Sequence, residues 1–245
     1  MSAHTQLWRS LCKLVISGLG LFLYATPAAM AGGVNIKNFG HSSLLIKGGG
    51  QLVLINPFEA VGCAEGLEEP RVRANVILAS SLLADEGAKV AKGTFLVNPG
   101  SYQIGRLQIE GFSVPHDRLG GRRFGFATAW QWEQAGLSFL HLGAASSLSE
   151  EDKILIGRPD VLIIPVGGGE KVYDGIEASQ MVKMLRPKRV IPVQYLAESI
   201  TDSTCNLTGV QPFLDAMKGI EVQRVDNTFN LPTKIPNGMV ITIPR

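Results

Sequence analysis

Three imidazoles, a pair of adjacent acids and a pair of adjacent serines hold most of the chemistry in this sequence. The chain has 4 His. His41, His116 and His141 lie in its body, and His4 lies near the start. Ser80-Ser81 with His116 has the residue types of a serine hydrolase, which needs a nucleophile and a base. No Gly-x-Ser-x-Gly elbow accompanies them, so the plainer expectation is that both serines cap a loop. Asp85-Glu86 reads either as an acid/base pair or as the solvated start of a helix. His116-Asp117 offers an imidazole with a carboxylate beside it that could orient the ring. His141 sits in an apolar strand and is expected as a buried, hydrogen-bonded residue. Gly167-Gly168-Gly169 has the composition of a phosphate cradle, but a turn after a buried strand accounts for it as well.

The elements that must position these residues are legible from period and turn signals. Val34–Phe39, Ser42–Ile46 and Gln51–Ile55 are short strands separated by Gly40-His41 and Gly48-Gly49-Gly50. Val76–Ala79 is a continuous apolar run, and Leu107–Val114 alternates. Phe124, Phe126, Thr128, Trp130 and Trp132 are expected on one strand face, with the tryptophans in the core. Gln134-Ala135-Gly136 turns that strand into Leu137–Leu142. Further on, the pattern becomes alternating. Ser149 caps an acidic helix start, and Gly157 and Pro159 end that helix. Val161–Val166 is a buried strand. Asp174 and Glu177 have capping-box spacing before a helix that stops at Pro187, and Arg189–Val193 follows. Thr208 and Gln211 open a last helix, closed near Gly219. Glu221–Val225 and Met239–Ile243 are final strands. A β-rich half followed by β-α units implies two sheets with helices outside.

Residues 1–31 read as a secretory signal. Arg9 and Lys13 precede an apolar core from Leu14 to Ala25, and Ala29-Met30-Ala31 fits a small-x-small cleavage site. The core is about 12 residues, short of the roughly 20 that a membrane span needs. The expected location is therefore the periplasm or a thylakoid lumen, with no stable span after cleavage. The full chain has 23 basic and 21 acidic residues, and Arg9 and Lys13 are the only charges in the signal. Residues 32–245 are thus formally neutral and lack the basic footprint of a nucleic-acid binder. Lys183, Arg186, Lys188 and Arg189 are read as a solvated helix end.

Taken in order, the motifs resemble the metallo-β-lactamase superfamily, in its branch of lactone-hydrolase-like and metal-dependent hydrolases. Gly40-His41-Ser42-Ser43 stands for the Gly-His turn between the first strands, and Asn56-Pro57-Phe58 for Asp-Pro-Phe. Asn75–Ser80 is similar to the strand that runs into the metal loop, and Pro115-His116-Asp117 to a strand-end His. His141-Leu142-Gly143-Ala144 matches His-x-Gly-Asp, Pro165–Gly168 a Pro-Val-Gly-Gly end, and Pro192-Val193-Gln194-Tyr195 a Pro-x-His-Tyr end. The resemblance implies a four-layer αββα sandwich over residues 32–245.

It also implies a metal site, and there this chain departs from the family. The His-x-His-x-Asp-His loop falls on Ser81, Leu83, Asp85 and Glu86. His116 keeps the next ligand, Ala144 replaces the bridging carboxylate, and Gln194 replaces the last His. Only Asp85 and His116 match, with His41, Ser80, Asp117, His141 and Tyr195 nearby. A catalytic zinc takes about three protein ligands. The expectation is therefore an exported protein whose degenerate site is non-catalytic and holds a small molecule or a protein partner, without a cofactor. The alternative is a hydrolase of altered chemistry using one zinc or other divalent ion, or none. In the resembled fold, the loops carrying Cys63 and Cys205 both leave the metal-site edge. The two thiols could therefore form a disulfide across the mouth of the cleft, or remain two unrelated buried thiols.

Overall fold

The computed structural model describes residues 33–196 and 205–245. The expected signal peptide, residues 1–31, lies outside the described residues. The strands are β1 (Val34–Gly40), β2 (Ser43–Gly48), β3 (Gln51–Ile55), β4 (Arg73–Leu78), β5 (Lys92–Leu96), β6 (Gly100–Ile104), β7 (Leu107–Pro115), β8 (Phe126–Gln134), β9 (Leu137–His141), β10 (Val161–Pro165), β11 (Arg189–Val193), β12 (Glu221–Val225), β13 (Thr228–Leu231) and β14 (Val240–Pro244). The helices are α1 (Glu150–Ile156), α2 (Gly175–Leu185) and α3 (Gln211–Ala216). They form an α/β sandwich of two mixed sheets, ordered β13-β1-β2-β3-β4-β5 and β12-β14-β11-β10-β9-β8-β7-β6.

Two apolar faces per strand explain the layering. Ile36, Ile46, Val53 and Val76 of the first sheet meet Ile109, Trp130, Phe139 and Ile163 of the second in one buried cluster. The other face of the second sheet packs Leu140, Leu162 and Val190 against Ile156 of α1, Ala178 and Val182 of α2, and Phe213 of α3. The outer face of the first sheet is covered more thinly. Phe58 and Ala64, from the segment after β3 with its single 3-10 turn, pack on Leu54 and Ile77 there.

Both tryptophans are core residues, as expected, and each has a hydrogen bond for its indole N–H. Trp130 donates to the Ala79 carbonyl across the sheets, and Trp132 donates to Gln134. Phe126, however, is 63 % exposed, and Phe124 precedes the strand. The shared-face expectation therefore holds only from Thr128 onward. Ser149 and Asp174 both form capping boxes. Thr208 does not cap α3; its hydroxyl donates to the Gly167 carbonyl, and α3 starts from Val210. Three strands carried no readable signal. β5 and β6 are short and bury none of their residues fully, so no apolar face marks them, whereas β13 alternates with Phe229 and Leu231 buried but is only 4 residues long, at the short limit of a readable period. The basic cluster is used structurally. Lys183 donates to the Ala216 carbonyl, Lys188 pairs with Asp160, and Arg186 closes α2 in a left-handed conformation.

Candidate functional site

β1, β3, β4, β7, β9, β10 and β11 end at the same edge of the sandwich, because the pairing makes them co-directional. The residues that follow these strands are His41, Asn56, Ser80–Glu86, His116, Ala144, Gly167 and Gln194. The two sheets are joined there by main-chain bonds. Gln194 N donates to the His41 carbonyl at 2.7 Å, and Thr128 N to the Ser80 carbonyl at 2.8 Å. The backbone is strained at this edge, since His41 (φ 51°), Asn56 (φ 39°) and Gln194 (φ 51°) all have positive φ without being glycine. Such outliers persist where the surroundings over-determine them, and they cluster at functional sites. Glycine is required at two close approaches. A Cβ on Gly143 would collide with Ser80 Oγ, and one on Gly167 with the Gln194 carbonyl.

Asn56 ties the first sheet to the loop after β4. Its Oδ1 accepts from the Ser80 amide (2.8 Å) and hydroxyl (2.9 Å), and its Nδ2 donates to Ser42. Ser80 is thus fully used as a loop anchor. Ser81 donates to Glu86 Oε2 at 3.0 Å and accepts from the Leu83 amide at 3.1 Å. Neither serine is hydrogen-bonded to His116, so the nucleophile–base arrangement does not form.

Glu86 is the hub of the site. Its fully buried carboxylate accepts from Ser81, from Gln194 Nε2 at 3.1 Å and from His116 Nε2 at 3.3 Å. Burial pushes the Glu86 carboxyl up. The hydrogen bond and charge of His116, the charge of Lys171 and the Ser81 hydroxyl outweigh that and hold it down to about 2. An ionised carboxylate only accepts, so the proton between the pair sits on His116 Nε2.

Asp117 does not orient His116. Its two oxygens accept the amides of Leu119, Gly121, Arg123 and Phe124 at 2.7 to 3.0 Å. The carboxylate therefore organises the β7–β8 loop, and those amides hold it below the ordinary aspartate range against the opposing effect of burial. Arg118 then fastens the loop to Glu177 at the start of α2 and to the Gly169 carbonyl.

Asp85, next in sequence to Glu86, faces a different neighbourhood. Its Oδ2 lies 4.0 Å from His41 Nε2 and 4.0 Å from Lys171 Nζ. With Gln194, these residues line a cavity of about 70 Å³. His116, Ser81 and Leu83 instead line a separate cleft of about 390 Å³ with Phe124 and Phe126. Tyr195 lines a third hollow with His41, away from Glu86, and burial raises its phenol. His141 is fully buried but has no hydrogen-bond partner, contrary to expectation; burial drives its imidazole down to about 3 against the pull of Glu86.

A sequence profile described as the Beta-lactamase superfamily domain matches residues 35–194. The chain belongs to the metallo-β-lactamase superfamily. Its sequence is 25 % identical over 195 residues to a metal-dependent hydrolase of Thermococcus onnurineus (strain NA1), covering 66 % of this chain and 84 % of that one. Its fold superposes with a TM-score of 0.69 on a protein of Thermotoga maritima described as a zinc-dependent hydrolase of the superfamily, at 26 % identity over 86 % of this chain and 98 % of the other. A metal-dependent hydrolase fold from Parabacteroides distasonis ATCC 8503 gives a TM-score of 0.59 at 16 % identity, covering 86 % and 92 %.

A metal pair does not fit the donors this family member presents. Leu83 cannot coordinate, and the buried Ala144 has no carboxylate to bridge two ions. Glu86 is engaged by three side chains. Among the described residues no three His, Cys, Asp or Glu side chains form a metal-holding group. The Cys63–Cys205 pair, which was one of two expectations, is a disulfide with Cα atoms 4.9 Å apart, and Cys63 lines the Asp85 cavity. The signal that sequence reading missed is Lys171. It lies just past the Gly167–Gly169 turn, where only the fold brings it to Asp85.

Proposed function

We propose that this superfamily member is an exported, non-catalytic binding protein whose degenerate metal site now holds a small molecule. The observation that carries this reading is the Glu86 hub. The side chains at three ligand positions, Ser81, His116 and Gln194, are hydrogen-bonded to the carboxylate at a fourth, Glu86. An internal carboxylate thus holds the groups that two ions would otherwise hold. The strained backbone at His41 and Gln194 supports retention of a site rather than its decay. The disulfide supports an oxidising destination, and the sequence of residues 1–31 supports export. No helix among the described residues is long and apolar enough to cross a membrane. The formal neutrality of residues 32–245 argues for a small molecule or a protein as partner rather than nucleic acid.

Elemental analysis of protein purified from its native compartment and dialysed without chelator tests the reading. Less than about a tenth of an ion per chain, with unchanged unfolding in chelator, is expected. One tightly held zinc per chain would return the protein to its hydrolase relatives and overturn the proposal. Amino-terminal sequencing of the same sample should begin near Gly32; an intact Met1 on soluble cytosolic protein would refute export.

A further inference from the structure

The Asp85 side of the site is short of hydrogen-bond partners. The His41 side chain is 1 % exposed, yet neither ring nitrogen has a partner, and neither does Gln194 Oε1. Both residues line the cavity of about 70 Å³ with Asp85 and Lys171. Nearly all buried polar atoms in folded proteins are paired, so three unpaired atoms on the wall of one cavity point to an occupant.

The chemistry of the unpaired atoms narrows what that occupant is. Gln194 is anchored through its amide nitrogen to Glu86, which leaves its oxygen as a pure acceptor. His41 lines the cavity with both ring nitrogens unpaired, and a neutral imidazole there presents one lone pair as an acceptor. Asp85 Oδ2 sits 4.0 Å from both His41 and Lys171, too far for a hydrogen bond to either. Three acceptors therefore surround one small space, whose wall also carries Glu170, Asn206 and the Lys171 ammonium. A water needs roughly 10–15 Å³ on this measure, so the space takes a group of about five heavy atoms. Val172, Leu207 and Cys63 supply apolar wall.

We infer that this cavity is a binding site for a small primary ammonium, its three N–H groups accepted by Gln194 Oε1, a ring nitrogen of His41 and the Asp85 carboxylate. The inference rests on the reading of the chain as a binding protein and names the ligand class of that site. The Lys171 side chain, about one-third exposed with its Nζ 4.0 Å from the same Asp85 oxygen, is the built-in competitor and sets the affinity.

Calorimetric titration of the purified protein with ethylammonium at pH 7.5 tests it, with tetramethylammonium as a cation of equal charge and no N–H. Saturable binding of one ethylammonium per chain is expected, with tetramethylammonium at least about tenfold weaker, the scale of one charge-assisted hydrogen bond. Asp85→Asn, at a partly exposed side chain, should weaken ethylammonium binding by about tenfold, and Lys171→Met should tighten it several-fold. Lack of saturable binding in any form would mean that ordered water fills the cavity, and would overturn the inference. Equal binding of both cations would overturn it too. Binding seen only in Lys171→Met would assign the site to the lysine itself and refute a ligand in the native protein. The metal content of the same sample keeps the two levels apart. A tightly held ion defeats the binding-protein reading, whereas an ion-free sample without amine binding defeats only the ligand class.

Discussion

Asp85 and Glu86 are neighbours in sequence, yet they live in opposite chemical conditions. On the Glu86 carboxylate the acceptor positions are filled, because it takes donors from three separate strand ends. Around Asp85 they are not. Its neighbours His41 and Lys171 stand at 4.0 Å, and buried acceptors face a cavity. The closed side is held together by hydrogen bonds to a buried charge. The open side is held from outside by a covalent link, since Cys63 forms part of its wall and is bonded to Cys205. The lesson is that two adjacent carboxylates can close one side of a site and leave the other open, because each reaches a different set of strand ends.

The largest expected effect is on the closed side. Glu86→Leu removes the common acceptor and strands His116 and Gln194 in the interior. Breaking one partner out of a buried charged pair costs about 3–5 kcal/mol, and urea unfolding should show a loss of that size. A loss below about 1 kcal/mol would mean that Glu86 is not the hub. On the open side, Cys63→Ala with Cys205→Ala should cost about 2–4 kcal/mol, because the bond closes a 142-residue separation in the unfolded chain. The same double variant should leave the Glu86 network intact, so its unfolding should remain a single transition.

Acid sharpens the contrast. Glu86 has a folded-state pKa near 2, below its ordinary 4.5, so its contribution is complete above about pH 4.5 and is lost as pH falls toward 2. His141 is depressed from 6.5 to about 3, and His41 is also lowered. The unfolded state therefore takes up these protons first, and stability begins to fall below about pH 6.5. Urea midpoints at pH 7.5, 5.5 and 3.5 should decline in two stages, the upper one reduced in His141→Leu. A flat profile between pH 7 and 5 would contradict neutral, buried imidazoles. The smallest effect belongs to Asp85→Asn, expected to change stability by less than about 1 kcal/mol because its ion pair is long and partly exposed.

Much of the scaffold was legible because burial leaves a periodic trace. β8 from Thr128 onward, β10 and β11 read directly from apolar spacing, and α1 and α2 from their caps. β5 and β6 did not, since strands without a buried residue have no apolar side to betray them, and β13, with Phe229 and Leu231 buried, is at the short limit of a readable period. At the site, Ser81, Leu83, Asp85, Glu86, His116, Ala144 and Gln194 were singled out from motif order, and in the structure they lie just past the ends of β4, β7, β9 and β11. Their partners were not readable from it. Asp117 is next to His116 in sequence, but it spends its oxygens on four loop amides. His141 was expected to be hydrogen-bonded and is not.

By itself, then, the sequence determined the α/β sandwich, the superfamily, and the fact that Leu83 and Ala144 cannot ligate a metal, because these follow from period, motif order and side-chain chemistry, all of which are local. Only the tertiary structure decided that Glu86 joins Ser81, His116 and Gln194 while Asp85 turns to His41 and Lys171. That division depends on which strand ends meet across two sheets, over separations as long as the 108 residues between Glu86 and Gln194, and no local pattern encodes it.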